Sequence, residues 1–600
     1  MRPSTDVLAR WGIDAEYVDA RGRVAQVDAQ SLARILAAVS AGSIQPQTIR
    51  SGAADRSPGL DKRLSAYYPA FVRAGAWRWL VAAQLYGLRS HRNWGHGDFT
   101  DLADLIRIAA RAGAAGVGVN PLHALFPDDP ERVSPYSPSS RLFLSPLYID
   151  MDAVPEFGRS DAVGIADEIA RLRANEVVNY PAVWAVKLKA LRAAFEKFPK
   201  ARSQRRDDFE AFRTERGEEL ERFAAFQVLR GRFGPQWTAW PTRWRAPSAN
   251  VLAELKTTAA AEMEFHAYVQ WLADRQLGAC RDLAAELGMP VGLYLDIAVG
   301  VAPDGADAWT QQEDLLSDLS IGAPPDLYNV AGQNWGLAAF NPHALAARDF
   351  AAFRRVLQAA MRYAGAVRLD HVLGLNRIYV VPSGLPASQG GYLRYPFDAM
   401  LAAIAEESQK AHCLVIGEDL GTVPEGFVER LAAAGIFSYR VMLFERARDG
   451  SFRPPEDYPA AALVTFNTHD LPTFAGWLTG SDLKVKRRLG LDPGETDEER
   501  AAAQRALRDA LAAAGLLDDS GLNFVQVARF LARTPTSLLA ASLEDAIGAQ
   551  AQPNVPGTVN EYPNWRQRLP VALDEIETHA GFRTLAAALR QAKRTQATAA

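Results

Sequence analysis

The chain has 600 residues, 48% of them hydrophobic and 23% charged, with 66 Lys and Arg against 70 Asp and Glu for a formal net charge of -4. That balance describes a globular chain able to bury a large core, and so small a charge without a long Lys/Arg block argues against nucleic acid or an anionic membrane as partner. The expected substrate is uncharged or small. Only Cys280 and Cys413 occur, which favours two reduced, buried thiols over a disulfide framework. No apolar run approaches membrane-spanning length and the first residues, MRPSTDVLARWGID, lack a signal-peptide core, so a cytoplasmic location is expected.

Residues 1–75 read as a small N-terminal helical extension. Leu32, Ile35, Leu36 and Val39 fall at helical spacing after Asp28, a suitable N-cap, and Ala41 to Leu60, rich in Gly, Ser and Pro, reads as a linker. From Trp77 the pattern changes. Leu80–Tyr86 predicts a strand, Asp98 to Arg111 a helix closed by Gly113, and Gly116–Pro121 a second strand. Further strands are expected at Val291–Ile297, Ala366–Asp370, Cys413–Glu418, Ser438–Phe444, Leu463–Asn467 and Leu538–Leu543. Eight strands alternating with helical patterns predict an α/β fold, a (β/α)8 TIM-type barrel over residues 76–600.

Two departures interrupt the alternation. Leu122 to Gly288 is far too long for a barrel loop and reads as a helical insertion subdomain after strand 2, with helices over Asn179–Phe198 and Arg206–Phe233. Asp304 to Pro342 reads as loop-rich. It contains Gly322-Ala-Pro-Pro-Asp326 and Gly332-Gln-Asn-Trp-Gly336.

The chemistry gathers around Ala366–Gly384. Apolar and charged residues alternate in AVRLD, so Arg368 and Asp370 share one face of a short strand, and burying them is tolerable because each offsets the other's charge. Alone, this reads better as a structural ion pair. Two other apolar runs end in the same manner, CLVIGEDLG at Glu418 and ALVTFNTHDLP at Asp470. Active sites of (β/α)8 barrels lie at the C-terminal ends of the strands, so Asp370, Glu418 and Asp470 are expected to converge at one mouth. His469 and Asp470 are adjacent, and a regular strand cannot point both inward, so one must lie beyond the strand.

With these residues, the chain resembles the 4-alpha-glucanotransferases (amylomaltases, or disproportionating enzymes) of the alpha-amylase superfamily. The resemblance runs from about Leu85 to Arg566. It rests on LYGLRSHRNWGHGDFTDL, NPLHALFP, SPYSPSSRLFLSPLYID, GLYLDIAVGVAPDGADAW, GAPPDLYNVAGQNWG, RLDHVLGLNRIYVVPSG, GEDLGTVP, FNTHDLPT, NVPGT and EYPNWR, in that order. It implies Asp370 as nucleophile, Glu418 as general acid/base and Asp470 as the third acid, which binds sugar hydroxyls and stabilises the transition state. It matches Arg368, His469 and Asp296 to active-site positions, and Tyr136, Gln333 and Trp335 to substrate-contacting ones. Asn467, in the FNTHD run, is a further candidate contact. His96 departs from the branched apolar residue of many members.

A retaining glycosyl transfer needs a carboxylate nucleophile and a carboxylic acid about 5 Å apart, one ionised while the other is protonated. Arg368 is expected to lower the pKa of Asp370, with burial and the neighbouring acids raising that of Glu418. Sugars favour aromatic platforms flanked by fixed polar groups, and Trp335 and Tyr136, with Gln333 and Asn334, suit that purpose. A Trp or Tyr taken alone is more often a core aromatic, but Trp335 is flanked by glycines and Tyr136 by prolines, which favours surface presentation. Asp296 serves equally well as a structural acceptor for Tyr or Arg side chains. Phosphate-cradling, HExxH and G-x-S-x-G motifs are missing and the nine histidines lack metal spacing, so no cofactor or metal is expected. The reading is an enzyme transferring alpha-1,4-glucan segments between malto-oligosaccharides or starch- and glycogen-derived glucans. A hydrolase with the same acids and a non-catalytic glucan-binding barrel are the alternatives, the latter disfavoured by the intact acids.

Overall fold

The computed structural model describes residues 2–19, 22–41, 44–46, 65–326, 331–519 and 521–599. Eight parallel strands close into a barrel in sequence order: β1 Arg78–Ala83, β2 Gly116–Val119, β3 Gly292–Ile297, β4 Ala366–Leu369, β5 Leu414–Gly417, β6 Phe437–Val441, β7 Ala462–Thr465 and β8 Leu538–Ser542, which pairs back onto β1. These are the eight segments read from the sequence. The first and sixth end sooner than expected, because Leu85–Gly87 and Met442–Phe444 turn into 3-10 helices.

The strands are apolar on both faces because both faces are covered. Leu80, Tyr294, Ala366, Ile416, Phe437 and Leu538 fill the barrel interior, while Val81, Val117, Leu293, Val367 and Val415 join the larger outer core under the helices. Helix α1, Phe99–Ala112, links β1 to β2. The Asp98 side chain accepts from the amides of Thr100 and Asp101, Asp101 accepts from the Asp98 amide, and Gly113 closes the helix at a φ of 84°, a conformation open to glycine.

Between β2 and β3, helices α2 (Tyr180–Lys197) and α3 (Ser203–Phe233) form as expected, with a break in α3 where Gly217 leaves helical geometry. The last helix of this excursion, α4 (Ala260–Glu286), packs on both α1 and α3. It therefore doubles as the crossover helix that returns the chain to β3.

The stretch expected to be loop-rich is instead half of an antiparallel sheet. Gly391–Arg394, Arg377–Pro382, Leu315–Ala323 and Gln333–Phe340 pair in that order beside the barrel. The glycines that suggested a loop permit close pairing: a Cβ on Gly322 would sit 2.0 Å from the Gln333 carbonyl oxygen. Helix Ala29–Val39 of the N-terminal stretch, capped by Asp28, docks on this sheet through Ser31 Oγ to Gln389 O (2.7 Å) and Arg34 Nη1 to Ser383 O (2.9 Å). Most of the linker expected over Ala41–Leu60 lies outside the described residues. Cys280 and Cys413 are buried free thiols. Among the described residues, no helix is long and apolar enough to cross a membrane.

Candidate active site

Strand register decides which side chains meet. Arg368 on β4 lies opposite Asp296 on β3 in a parallel pair, so the same pleat turns both into the barrel. The two-residue period then carries polar groups past the strand ends: Ala366 and Arg368 lead to Asp370, and Leu414 and Ile416 lead to Glu418. Leu369 pairs with Gly417, which places Asp370 and Glu418 side by side above adjacent strands. Neighbouring strands lie about 4.8 Å apart, in keeping with two carboxyls flanking one glycosidic bond.

One guanidinium joins them. Arg368 Nη1 lies 2.9 Å from both oxygens of Asp296 and 2.9 Å from Asp370 Oδ1, and Nη2 is 3.8 Å from Glu418 Oε2. Arg368 is buried, so three carboxylates and one guanidinium share a site poorly screened by water. Glu418 also accepts from two backbone amides, His371 N at Oε2 (2.8 Å) and Leu420 N at Oε1 (2.9 Å).

The electrostatics correct one expectation. Burial pushes Asp370 up to about 6, and Arg368, although it pulls the other way, is outweighed by burial together with the repulsion of the nearby Asp296 and Glu418 charges. Burial raises Glu418 too, against Arg368 and the two amides. Arg368 touches Asp370 directly and Glu418 only at longer range, while Glu418 has the two amide donors instead.

The third acid enters from a loop. Strand β7 stops at Thr465, and both His469 and Asp470 lie beyond it on a turn, so neither is a strand-end residue. Asp470 is half-exposed, with Asn554 Nδ2 donating to its Oδ1 at 2.6 Å and His469 Nε2 3.4 Å from Oδ2. Burial in the mouth acts to raise it, but His469 and Asn554 hold its carboxyl below the usual range. His469 is raised in turn, its burial outweighed by Asp470. Both ring nitrogens of His469 face acceptors, Asp470 and the Tyr136 oxygen 3.0 Å from Nδ1, an arrangement that suits imidazolium.

Tyr136 is built into this network. Its hydroxyl donates to Asp296 Oδ2 at 2.6 Å, and its ring stacks on His469 at 4.5 Å and tilts against Trp565 at 5.4 Å. The surface presentation expected from its prolines gives way to a half-buried position. Trp335 sits at the start of an antiparallel strand rather than in a loop, half-buried, with its indole N–H donating to Gln333 Oε1 (3.1 Å) and its ring edge-on to His371 (5.2 Å). Asn334 is exposed and accepts from Ser320 Oγ and the Gly336 amide. Asn467 lines the barrel mouth, but its amide donates to Pro472 O at 2.8 Å, bracing the loop that carries His469 and Asp470. His96 is buried against Tyr148 and Tyr180, with Nδ1 2.7 Å from Gly97 O, away from this network.

Sequence reasoning gave no role to Asn554, Trp565 or His371. The first two sit in the NVPGT and EYPNWR motifs, more than 80 residues after Asp470, and only folding brings them to it. Among the described residues, no group of three or more His, Cys, Asp or Glu could hold a metal ion.

A (β/α)8 barrel with carboxyl groups gathered around one arginine at the strand ends defines an enzyme working by carboxylate chemistry. Residues 83–574 match the glycoside hydrolase 77 family, described as 4-alpha-glucanotransferase. The chain is 39% identical over 552 residues to the 4-alpha-glucanotransferase of Mycobacterium tuberculosis, covering 86% of this chain and 76% of that one. It is 37% identical over 553 residues to that of Haemophilus influenzae, covering 86% and 78%. Its fold is similar to amylomaltase from Corynebacterium glutamicum, with a TM-score of 0.84 at 27% identity over 97% of this chain and 99% of that one. Amylomaltase from Streptococcus agalactiae, solved in complex with acarbose, shares the fold at a TM-score of 0.72 and 20% identity, over 86% and 99%. The chain belongs to the 4-alpha-glucanotransferase family, and its activity is retaining transfer of alpha-1,4-glucan segments by double displacement.

Proposed function

We propose that Asp370 is the nucleophile of this reaction, Glu418 its general acid/base and Asp470 the acid that binds sugar hydroxyls, with malto-oligosaccharides as donors and acceptors. The observation that carries the assignment is the placement of Asp370 and Glu418 above adjacent strands, both within reach of Arg368. Asp370 attacks the anomeric carbon while Glu418 protonates the departing 4-oxygen, leaving a covalent glycosyl-enzyme and a Glu418 carboxylate. That carboxylate accepts the proton of an incoming sugar 4-hydroxyl, whose oxygen displaces Asp370 and restores both groups. Arg368 steadies the Asp370 carboxylate when it is released, and the two amides on Glu418 favour the anionic form it takes in mid-cycle. Asp296, His469 and Tyr136 form the wall beside the reacting sugar, and Trp335 and Gln333 bind the glucan further along. The buried free thiols suit a reducing compartment, and we place the enzyme in the cytoplasm.

Maltotriose as sole substrate tests this reading. Glucose and longer oligomers should appear with little net gain in reducing ends, and Glu418→Gln should lower turnover by about 100-fold or more. Unchanged turnover in that variant would exclude the acid/base role.

A further inference from the structure

The loop that carries His469 and Asp470 is held from outside at three points, all by the segment that follows β8. At its tip the Asn554 amide donates to His469 O at 3.2 Å, and the Asn554 side chain donates to Asp470. At its far end Thr473 Oγ1 donates to Gln550 O at 3.2 Å, in a contact so close that a Cβ on Gly476 would sit 2.7 Å from the same oxygen. The third point lies beneath the other two. Asp545, in the one-turn helix Leu543–Ala546, is buried, and its Oδ1 accepts from the Phe474 amide at 2.6 Å. Within the loop, Asn467 Nδ2 donates to Pro472 O and ties the entry of the turn to its exit.

A buried Asp is most simply explained by an ion pair, yet among the described residues no Lys, Arg or His pairs with Asp545, and the charged neighbour acting on it is another acid, Glu544. Its Oδ2 is buried with no hydrogen-bond partner, although the Asn467 side chain stands near enough to act on the carboxyl. Burial pushes the group up to about 7, so in mildly acidic solution it is chiefly neutral and still offers Phe474 an oxygen. Asp545 supplies an acceptor rather than a charge. We propose that Asp545 is a positioning residue for transfer: by holding the Phe474 amide at the foot of the loop, it sets where His469 and Asp470 stand over the cleft. The inference rests on the reading of Asp470 above. Strand β7 stops at Thr465, so no sheet hydrogen bond places Asp470 and the task falls to these anchors. A shift of about 1 Å in a group that contacts the reacting sugar can cost about 100-fold.

Substitution at position 545 separates acceptor from charge, with kcat and KM on maltotriose, the thermal midpoint and hydrogen exchange of the loop as readouts. Asp545→Ala removes the oxygen and leaves the Phe474 N–H unpaired; kcat/KM should fall about 10- to 100-fold, with the larger share in kcat. Backbone amides over residues 466–480 should exchange about tenfold faster while the barrel strands keep their wild-type rates. Asp545→Asn presents an oxygen to the same amide. It should recover kcat to within about threefold of the wild type and restore slow exchange. If the alanine variant does not fold, Asp545→Ser serves: its hydroxyl is too short to reach Phe474, so the loss of kcat and the faster exchange should both return. A folded Asp545→Ala or Asp545→Ser with wild-type kcat overturns the proposal. So does an asparagine variant as impaired as the alanine one, or faster exchange spread evenly over the barrel. Asp470→Asn measured in parallel distinguishes the two levels: turnover retained there removes the role given to Asp470, whereas turnover lost there with a silent Asp545→Ala removes only the anchoring.

Discussion

The Tyr136 hydroxyl donates to Asp296 and stands within hydrogen-bond reach of His469, joining a residue of the β2–β3 excursion to a strand and to the β7 loop through one oxygen. Through it a continuous chain of contacts runs from Asp470 to His469, Tyr136, Asp296, Arg368, Asp370 and Glu418. The three acids are therefore not independent side chains at a common mouth. They are held in one frame.

Removing that oxygen tests the frame. Tyr136→Phe keeps the stacked ring and deletes the hydrogen bond to a charged partner, a loss that costs about 1.5–3 kcal/mol. We expect stability to fall by that amount and kcat/KM on maltotriose to fall about 10- to 100-fold. A variant with wild-type kcat/KM would show that the ring alone matters.

Asp370 should burden the empty enzyme. Its pKa in the fold, about 6, exceeds the ordinary value of 3.8, so the folded state holds this proton more tightly than the unfolded chain. The contribution to stability is present below the unfolded value and is lost as pH rises through about 6. Asp370→Asn should accordingly abolish transfer yet stabilise the protein at pH 8, on the order of 1–3 kcal/mol, with the gain vanishing toward pH 4. Denaturant midpoints for both proteins at the two pH values provide the check, and a destabilised variant at pH 8 would contradict the burial argument.

The same ionisation predicts the acid side of the activity profile. Activity should fall as pH drops through about 6, where Asp370, the proposed nucleophile, takes up its proton. Rates of glucose release from maltotriose between pH 4 and 8 would show it, and full activity retained at pH 4 would refute it.

A second buried cluster carries stability rather than chemistry. Arg92 binds Asp98 at 2.6 Å, Asp101 at 2.8 Å and Asp150 at 2.8 Å, and all three acids are buried. Arg92→Met would leave three buried carboxylates with their main counter-charge gone, a cost of about 3–5 kcal/mol. Chemical denaturation should show that loss, and a change below about 1 kcal/mol would mean that the acids are neutral in the fold.

Gly417 offers a packing test of the turn over Glu418. A Cβ there would meet Val372 at 2.9 Å, closer than side chains tolerate. Gly417→Ala should displace the turn, costing about 1–3 kcal/mol of stability and reducing transfer along with it. Wild-type melting and activity together would show that the turn yields freely.

The sequence by itself determined the barrel and the placement of Asp370 and Glu418 at the ends of adjacent strands. Eight apolar runs separated by helical periodicity admit few other folds, and a two-residue period along Ala366–Asp370 and Leu414–Glu418 dictates which side chains face inward at a strand end. These are local properties, written in consecutive residues. Tertiary structure decided the rest. It made an antiparallel sheet of a stretch that read as loop, because strand pairing there spends glycines on close approach. It moved His469 and Asp470 off the strand and brought Asn554 and Trp565 to them from a distant loop. It also set the pKa of Asp370 above its ordinary value, since burial and the repulsion of the nearby Asp296 and Glu418 charges depend on distances that no single segment encodes.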